Sequence, residues 1–139
     1  MKPGVQEALL GSFRLDQPVE ARMRDVRFAF FAPGNDPSGW LAGWHPEVLA
    51  AQRIAGDRTS READFAGGQA PILYLQPDHD PLGRVEDAQE YKRALRARVT
   101  VVVIANASHA VVTEQPAAVA RELVKYARGL WPAGLQPVR

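Results

Sequence analysis

Two short polar turns hold the residues best suited to chemistry. The apolar run Pro71–Gln76 leads into Pro77-Asp78-His79-Asp80, and the run Val99–Ala105 leads into Asn106-Ala107-Ser108-His109. A carboxylate beside an imidazole is acid–base equipment: the carboxylate fixes the ring's tautomer and stabilises its protonated form, and the ring takes and returns a proton near neutral pH. If the two runs are neighbouring parallel strands, an acid after one meets a histidine after the other at the carboxyl edge of the sheet. Open α/β sheets gather their ligands there. Asp80 and His109 are the candidate pair, with Asp78 the next acid in position. Alternate residues of an extended segment face the same way, so Asp78, His79 and Asp80 could instead hold a cation. One loop leaves most ligand positions unfilled, however, and no metal is expected. Asp78 and His79 then fall to solvated turn residues, and His45, next to Pro46, to a helix start.

The elements that must position this pair differ in texture along the chain. Residues 1–68 read as helical and irregular. Val5, Ala8, Leu9 and Phe13 mark a short first helix. A second is expected from near Asp16, with Pro18 in its first turn and Val19, Met23, Val26 and Phe30 on one face. The segment FFAPGNDPSGW breaks regular structure with two prolines and two glycines. A third helix is expected from Pro46, with Gln52 and Arg53 exposed, to a stop at Gly56. The polar stretch from Gly56 to Gly68 reads as a connector.

Residues 69–139 read as strand, helix, strand, helix. Pro71–Gln76 and Val99–Ala105 are continuous apolar runs rich in β-branched residues, as strands buried on both faces usually are. Between them Val85, Ala88, Tyr91 or Lys92, and Leu95 give an amphipathic helix. A loop to Pro116 should precede a last helix that turns Val119, Leu123, Ala127 and Leu130 inward. The fold class is α/β, built on a parallel β-α-β-α unit.

With these residues in place, the stretch from Pro71 to Trp131 resembles the carboxyl-terminal part of the α/β-hydrolase fold family. In that family the penultimate strand leads to the triad acid, and the last to a loop ending in a small residue, Gly or Ser, and His. Ala107-Ser108-His109 and the following Glu114-Gln115-Pro116 match this pattern. Asp80 matches the acid better than Asp78, and Pro77 stands where the family often has Gly. Residues 16–55, with FFAPGNDPSGWLAGW, resemble the helical cap inserted before that strand, which roofs the pocket. The resemblance therefore implies a partial α/β-hydrolase fold, with a cap-like segment at 1–68 and a core portion at 69–139. It also makes Phe30, Phe31, Trp40 and Trp44 substrate-lining residues; ordinary packing within the cap explains such aromatics equally well.

The same resemblance defines what is missing. A hydrolase of this kind needs a G-x-S-x-G elbow and an oxyanion hole. Serines occur at Ser12, Ser38, Ser60 and Ser108, and none is flanked by glycines at both second neighbours. The elbow should precede the cap, and residue 1 already lies at the cap's edge, so the nucleophile is expected to come from elsewhere. Two functions follow. One is the acid and histidine portion of a hydrolase acting on an ester or similar bond of a small molecule, inactive alone. The other is a non-catalytic small-molecule or protein-binding module derived from the fold.

Composition narrows the remaining classes. The 139 residues carry a net charge of +1, with 46% hydrophobic and 24% charged residues, as a soluble globular domain does. Basic and acidic residues are interspersed, which gives no nucleic-acid footprint. Cysteine is absent, so neither disulfides nor thiolate chemistry is available. No signal-like segment or long apolar run is visible, so a cytoplasmic protein without membrane contact is expected. No Gly-rich loop follows a strand, and no cofactor is expected. Two strands cannot cover both faces and edges of a sheet, so self-association or a complementing N-terminal half is the expected partner.

Overall fold

The computed structural model describes residues 3–60 and 68–130. Helices α1 (Val5–Ser12), α2 (Val19–Phe30) and α3 (Pro46–Arg58) precede strand β1 (Ile72–Pro77). Helix α4 (Val85–Leu95) then leads to β2 (Val99–Ile104), and α5 (Val111–Glu114) and α6 (Pro116–Leu130) follow. The result is a helix-rich α/β arrangement around a small parallel sheet.

The first two helices pack against each other because the buried face of α1 is made of small side chains that admit the larger ones of α2. Val5, Ala8, Gly11 and Ser12 are buried on α1, and Val26, Ala29 and Phe30 on α2. A Cβ added at Gly11 would lie 2.0 Å from Asp25 Oδ2, so the helices approach closely where α1 has no side chain. Helix α2 starts at Val19 rather than near Asp16. Pro18 is its cap, with φ −55° and ψ 142°, because residues Arg14 to Gln17 are taken up in the turn leaving α1. Val19, expected on the inner face, is 53% exposed at this first turn. Helix α3 runs through Gly56 to Arg58, since a single interior glycine weakens a helix without ending it. Residues 61–67, most of the expected connector, lie outside the described residues.

β1 and β2 pair in parallel, in register from Ile72 opposite Val99 to Pro77 opposite Ile104. Tyr74 meets Tyr91 of α4 with ring centroids 6.0 Å apart, whereas Leu73, Thr100 and Val102 face Glu122 and Tyr126 of α6. Neighbouring strand residues point to opposite faces, so α4 and α6 cover the two sides of the sheet. The cover is incomplete. Gln76, Pro77, Val99 and Ile104 are buried, but Val103 is 50% exposed, and half of the strand residues are only half-buried. The expectation of strands buried on both faces is corrected accordingly: one helix per side shields two strands only in part.

The last helix needs a similar correction. Val119 is buried as expected, but Leu123, Ala127 and Leu130 are exposed. Glu122, Tyr126 and the half-exposed Leu130 line the groove against the sheet, because α6 crosses it on the row of Val119, Glu122, Tyr126 and Leu130. The expected loop before Pro116 contains the short helix α5.

Candidate active site

The parallel register sets the two polar turns side by side. Asp78 N–H donates to Ile104 O at 3.1 Å and His79 N–H to Ala107 O at 2.9 Å, so the pairing continues just past the strand ends. Asn106 then turns the chain with φ 56°, a left-handed conformation that Asn tolerates better than most side chains. Its N–H donates to Asp78 Oδ2 at 3.1 Å, and Ala107 N–H to Asp78 Oδ1 at 3.2 Å. The same carboxylate lies 2.6 Å from His79 Nδ1. Asp78 is thereby occupied in holding the second turn.

Asp80 is the acid that meets the histidine. Its Oδ2 lies 3.0 Å from His109 Nδ1, and its Oδ1 accepts the Leu82 N–H at 2.8 Å. The Asp80 side chain is only 7% exposed, while that of His109 is 48% exposed. Burial opposes ionisation of Asp80. The hydrogen bonds from His109 and from Leu82 N–H outweigh it, and the carboxyl sits below its usual range. His109 is raised above its usual range, chiefly by its hydrogen bond to Asp80 and against partial burial. An ionised carboxylate accepts only, so Nδ1 carries the proton and Nε2 holds the free lone pair in the neutral ring. Among the described residues, Nε2 makes no hydrogen bond.

The four aromatic residues expected to line a pocket form one cluster. The Phe30 ring is tilted against those of Trp40 and Trp44, with centroids 5.3 Å and 5.8 Å away, and Phe31 meets Trp40 edge-on at 5.2 Å. Phe30 and Phe31 are each 6% exposed and pack with Ala8, Val26, Ala29 and Ala110. Trp40 and Trp44 are partly buried, and Trp40 Nε1 donates to Thr113 Oγ1 at 3.3 Å. The link to the polar pair is direct: the Phe30 ring centroid is 5.8 Å from that of His109. Phe13, named in the sequence only as a helix residue, meets Trp44 edge-on at 4.7 Å. Its place beyond the first helix gave no sign of this.

Glu114 was also missed as a site residue. Its Oε1 accepts Ala32 N–H at 2.6 Å and the Asn35 amide at 2.7 Å, and its Oε2 accepts Ser108 N–H at 2.6 Å. The only signal was its place shortly after His109, before Gln115-Pro116. The serines are otherwise engaged. Ser12 Oγ donates to Ala8 O at 2.9 Å and Ser38 Oγ to Asp36 at 2.7 Å, and Ser108 is buried with Oγ 3.4 Å from His79 O. Among the described residues, no group of three or more His, Asp or Glu is placed to hold a metal ion. No described helix is long and apolar enough to cross a membrane. A surface groove of about 740 Å³ runs along α1 and α2 past Glu7, Arg24 and Phe28, away from the strand ends.

Comparison with known proteins bears on this arrangement through structure alone. No protein-family model and no curated protein matches the sequence. Four solved chains match the fold. One is a membrane phospholipase A described as a bacterial virulence factor. It superposes with a TM-score of 0.66 at 20% identity, over 96% of this chain and 46% of that one. Another is a putative hydrolase from Bacillus subtilis, with a TM-score of 0.53 at 17% identity, over 91% of this chain and 46% of that one. The chain shares the fold of these two proteins over most of its length. It spans a little under half the length of either neighbour.

Proposed function

We propose that this chain is the cap and carboxyl-terminal portion of an α/β-hydrolase, contributing the acid and base of a Ser-His-Asp type triad. The observation that carries the reading is the 3.0 Å contact between Asp80 and His109 at the ends of adjacent parallel strands. The directions of the two pKa shifts support it, as does a phospholipase A and a putative hydrolase among the structural neighbours. Residues 1–68 then form the cap and 69–139 the core portion. The substrate is a small molecule with an ester or similar bond, lying against the aromatic cap residues Phe30, Phe31, Trp40 and Trp44.

In this mechanism neutral His109 takes the proton of a serine hydroxyl on Nε2, and the hydroxyl oxygen attacks the substrate carbonyl. Asp80 stabilises the resulting imidazolium and keeps Nδ1 protonated. His109 Nε2 returns the proton to the leaving alcohol, leaving an acyl-enzyme. A water deprotonated by His109 then releases the acid. The serine and the oxyanion hole belong to a part of the hydrolase outside these 139 residues.

The test is activity in two settings. The 139 residues alone should give no turnover of activated aryl esters and no labelling by a fluorophosphonate. Joined to, or mixed with, a segment bearing G-x-S-x-G, they should restore both turnover and labelling. In that complete protein His109→Gln should lower kcat by about 10⁶-fold and Asp80→Asn by about 10⁴-fold. Labelling of Ser12, Ser38, Ser60 or Ser108 in the isolated chain would refute the reading. Unchanged kcat in both variants would leave a non-catalytic binding module in its place.

A further inference from the structure

The loop that carries His109 is fastened from two directions. On one side Asp78 takes the N–H groups of Asn106 and Ala107. On the other, Glu114 takes the N–H of Ser108, the residue immediately before the histidine. Ala110, immediately after it, donates its N–H to Phe30 O at 2.8 Å. Glu114 differs from the other fasteners in reaching a second segment. Its Oε1 holds Ala32 N–H and the Asn35 amide, at the point where the chain leaves α2 in an extended conformation. Asn35 and Gln115 each also donate to Asn106 O at 2.9 Å. One carboxylate thus joins the aromatic segment Phe30–Phe31 to the turn that presents the imidazole.

We propose that Glu114 is a positioning residue, which holds the His109 backbone against the Ala32–Asn35 segment and thereby keeps the imidazole in line with Asp80. The consequence for catalysis rests on the function proposed above; the clamp itself does not. Three donors at 2.6–2.7 Å match the acceptor capacity of an ionised carboxylate and of no other side chain. A Gln would turn an NH₂ group toward either Ser108 N–H or the Ala32–Asn35 donors. An Asp keeps the charge but is one methylene too short to reach both segments. These two substitutions separate position from charge and from simple space filling.

The experiment follows the His109 ring protons by NMR as a function of pH in the intact 139-residue chain, with Asp80→Asn as the reference. Asp80 is the charged group whose bond and field act on this ring. Asp80→Asn should move the His109 midpoint down toward its ordinary value of 6.5. Glu114→Asp should move it the same way by about 0.5 unit or more, as the bond to Asp80 lengthens on average. A shift in Asp80→Asn with none in Glu114→Asp overturns the role of Glu114 and leaves the pair standing. No shift in Asp80→Asn removes the pair, and the positioning of it as well. Should Glu114→Asp not fold, Glu114→Gln is titrated at about 1 M salt, where the Debye length of about 3 Å screens the lost charge. A lowered midpoint there supports the clamp, and an unchanged one overturns it.

Discussion

His109 and Asp80 shift in opposite directions, and that fixes how stability should depend on pH. Asp80 sits below its ordinary 3.8, so its contribution is present above that value and is lost as pH falls through the folded pKa. His109 sits above its ordinary 6.5, so its contribution is fully present below 6.5 and is lost as pH rises through the folded value. The pair should therefore stabilise the fold most between the two ordinary values. Denaturation midpoints of the natural chain and of His109→Gln, measured across pH 4–9, should differ most near pH 5 and converge on the alkaline side. A constant difference would contradict the assignment of the shifts to this contact. The sequence made Asp80 the acid from its place in the turn, and the physical reason appears only in the folded chain. Asp78 is withdrawn from competition by the N–H groups of Asn106 and Ala107, which fold back onto it. Asp78→Ala should leave the buried Ala107 amide without an acceptor and cost about 1–3 kcal/mol, read as a lower urea midpoint. The role of Glu114 was hidden for a related reason: its partners Ala32 and Asn35 are distant in sequence, and no spacing rule connects them.

The strands and α4 could be read from the chain because each is defined by its own residues. Continuous β-branched runs make β1 and β2, and Ala88 and Tyr91 turn inward on α4 at helical spacing. Helix limits were less legible where a neighbour decides them. Gly56 has the form of a helix stop, yet α3 continues past it, whereas Gly11 carries no mark in the sequence and is the point where α1 meets Asp25 of α2. A larger side chain at Gly11 would enter the space of the Asp25 carboxylate and force the two helices apart. Gly11→Val should therefore destabilise the fold by about 1–3 kcal/mol, whatever is gained in local helix preference. Circular dichroism during thermal unfolding measures this; an unchanged midpoint would mean that the pair closes on other contacts. Since Phe30 ends α2 and touches both Trp40 and His109, the same variant should broaden the His109 ring signals.

At the scale of the molecule, the sheet and the last helix leave several large apolar side chains without cover. This uncovered surface has a definite address. Val103 of β2 is 50% exposed, Leu123, Val124 and Leu130 of α6 are each about half exposed, and the two-stranded sheet has no third strand among the described residues. The sequence foretold the shortage of cover, because two strands and two helices cannot close a sheet. It could not say that α6 would turn Glu122 and Tyr126 to the sheet and leave Leu123 and Val124 outside. That choice gives the surface a ready use in the proposed hydrolase, as the seam against the half that carries the nucleophile. Without that half the same residues should bring copies of the chain together. Light scattering after size exclusion should give a mass above 15.3 kDa at micromolar concentration. Leu123→Lys with Val124→Glu should return it toward the monomer with little loss of thermal stability, since both side chains are already half in water. A monodisperse monomer with a cooperative transition would show that these residues need no cover, and the proposed complementing half would lose its physical motive.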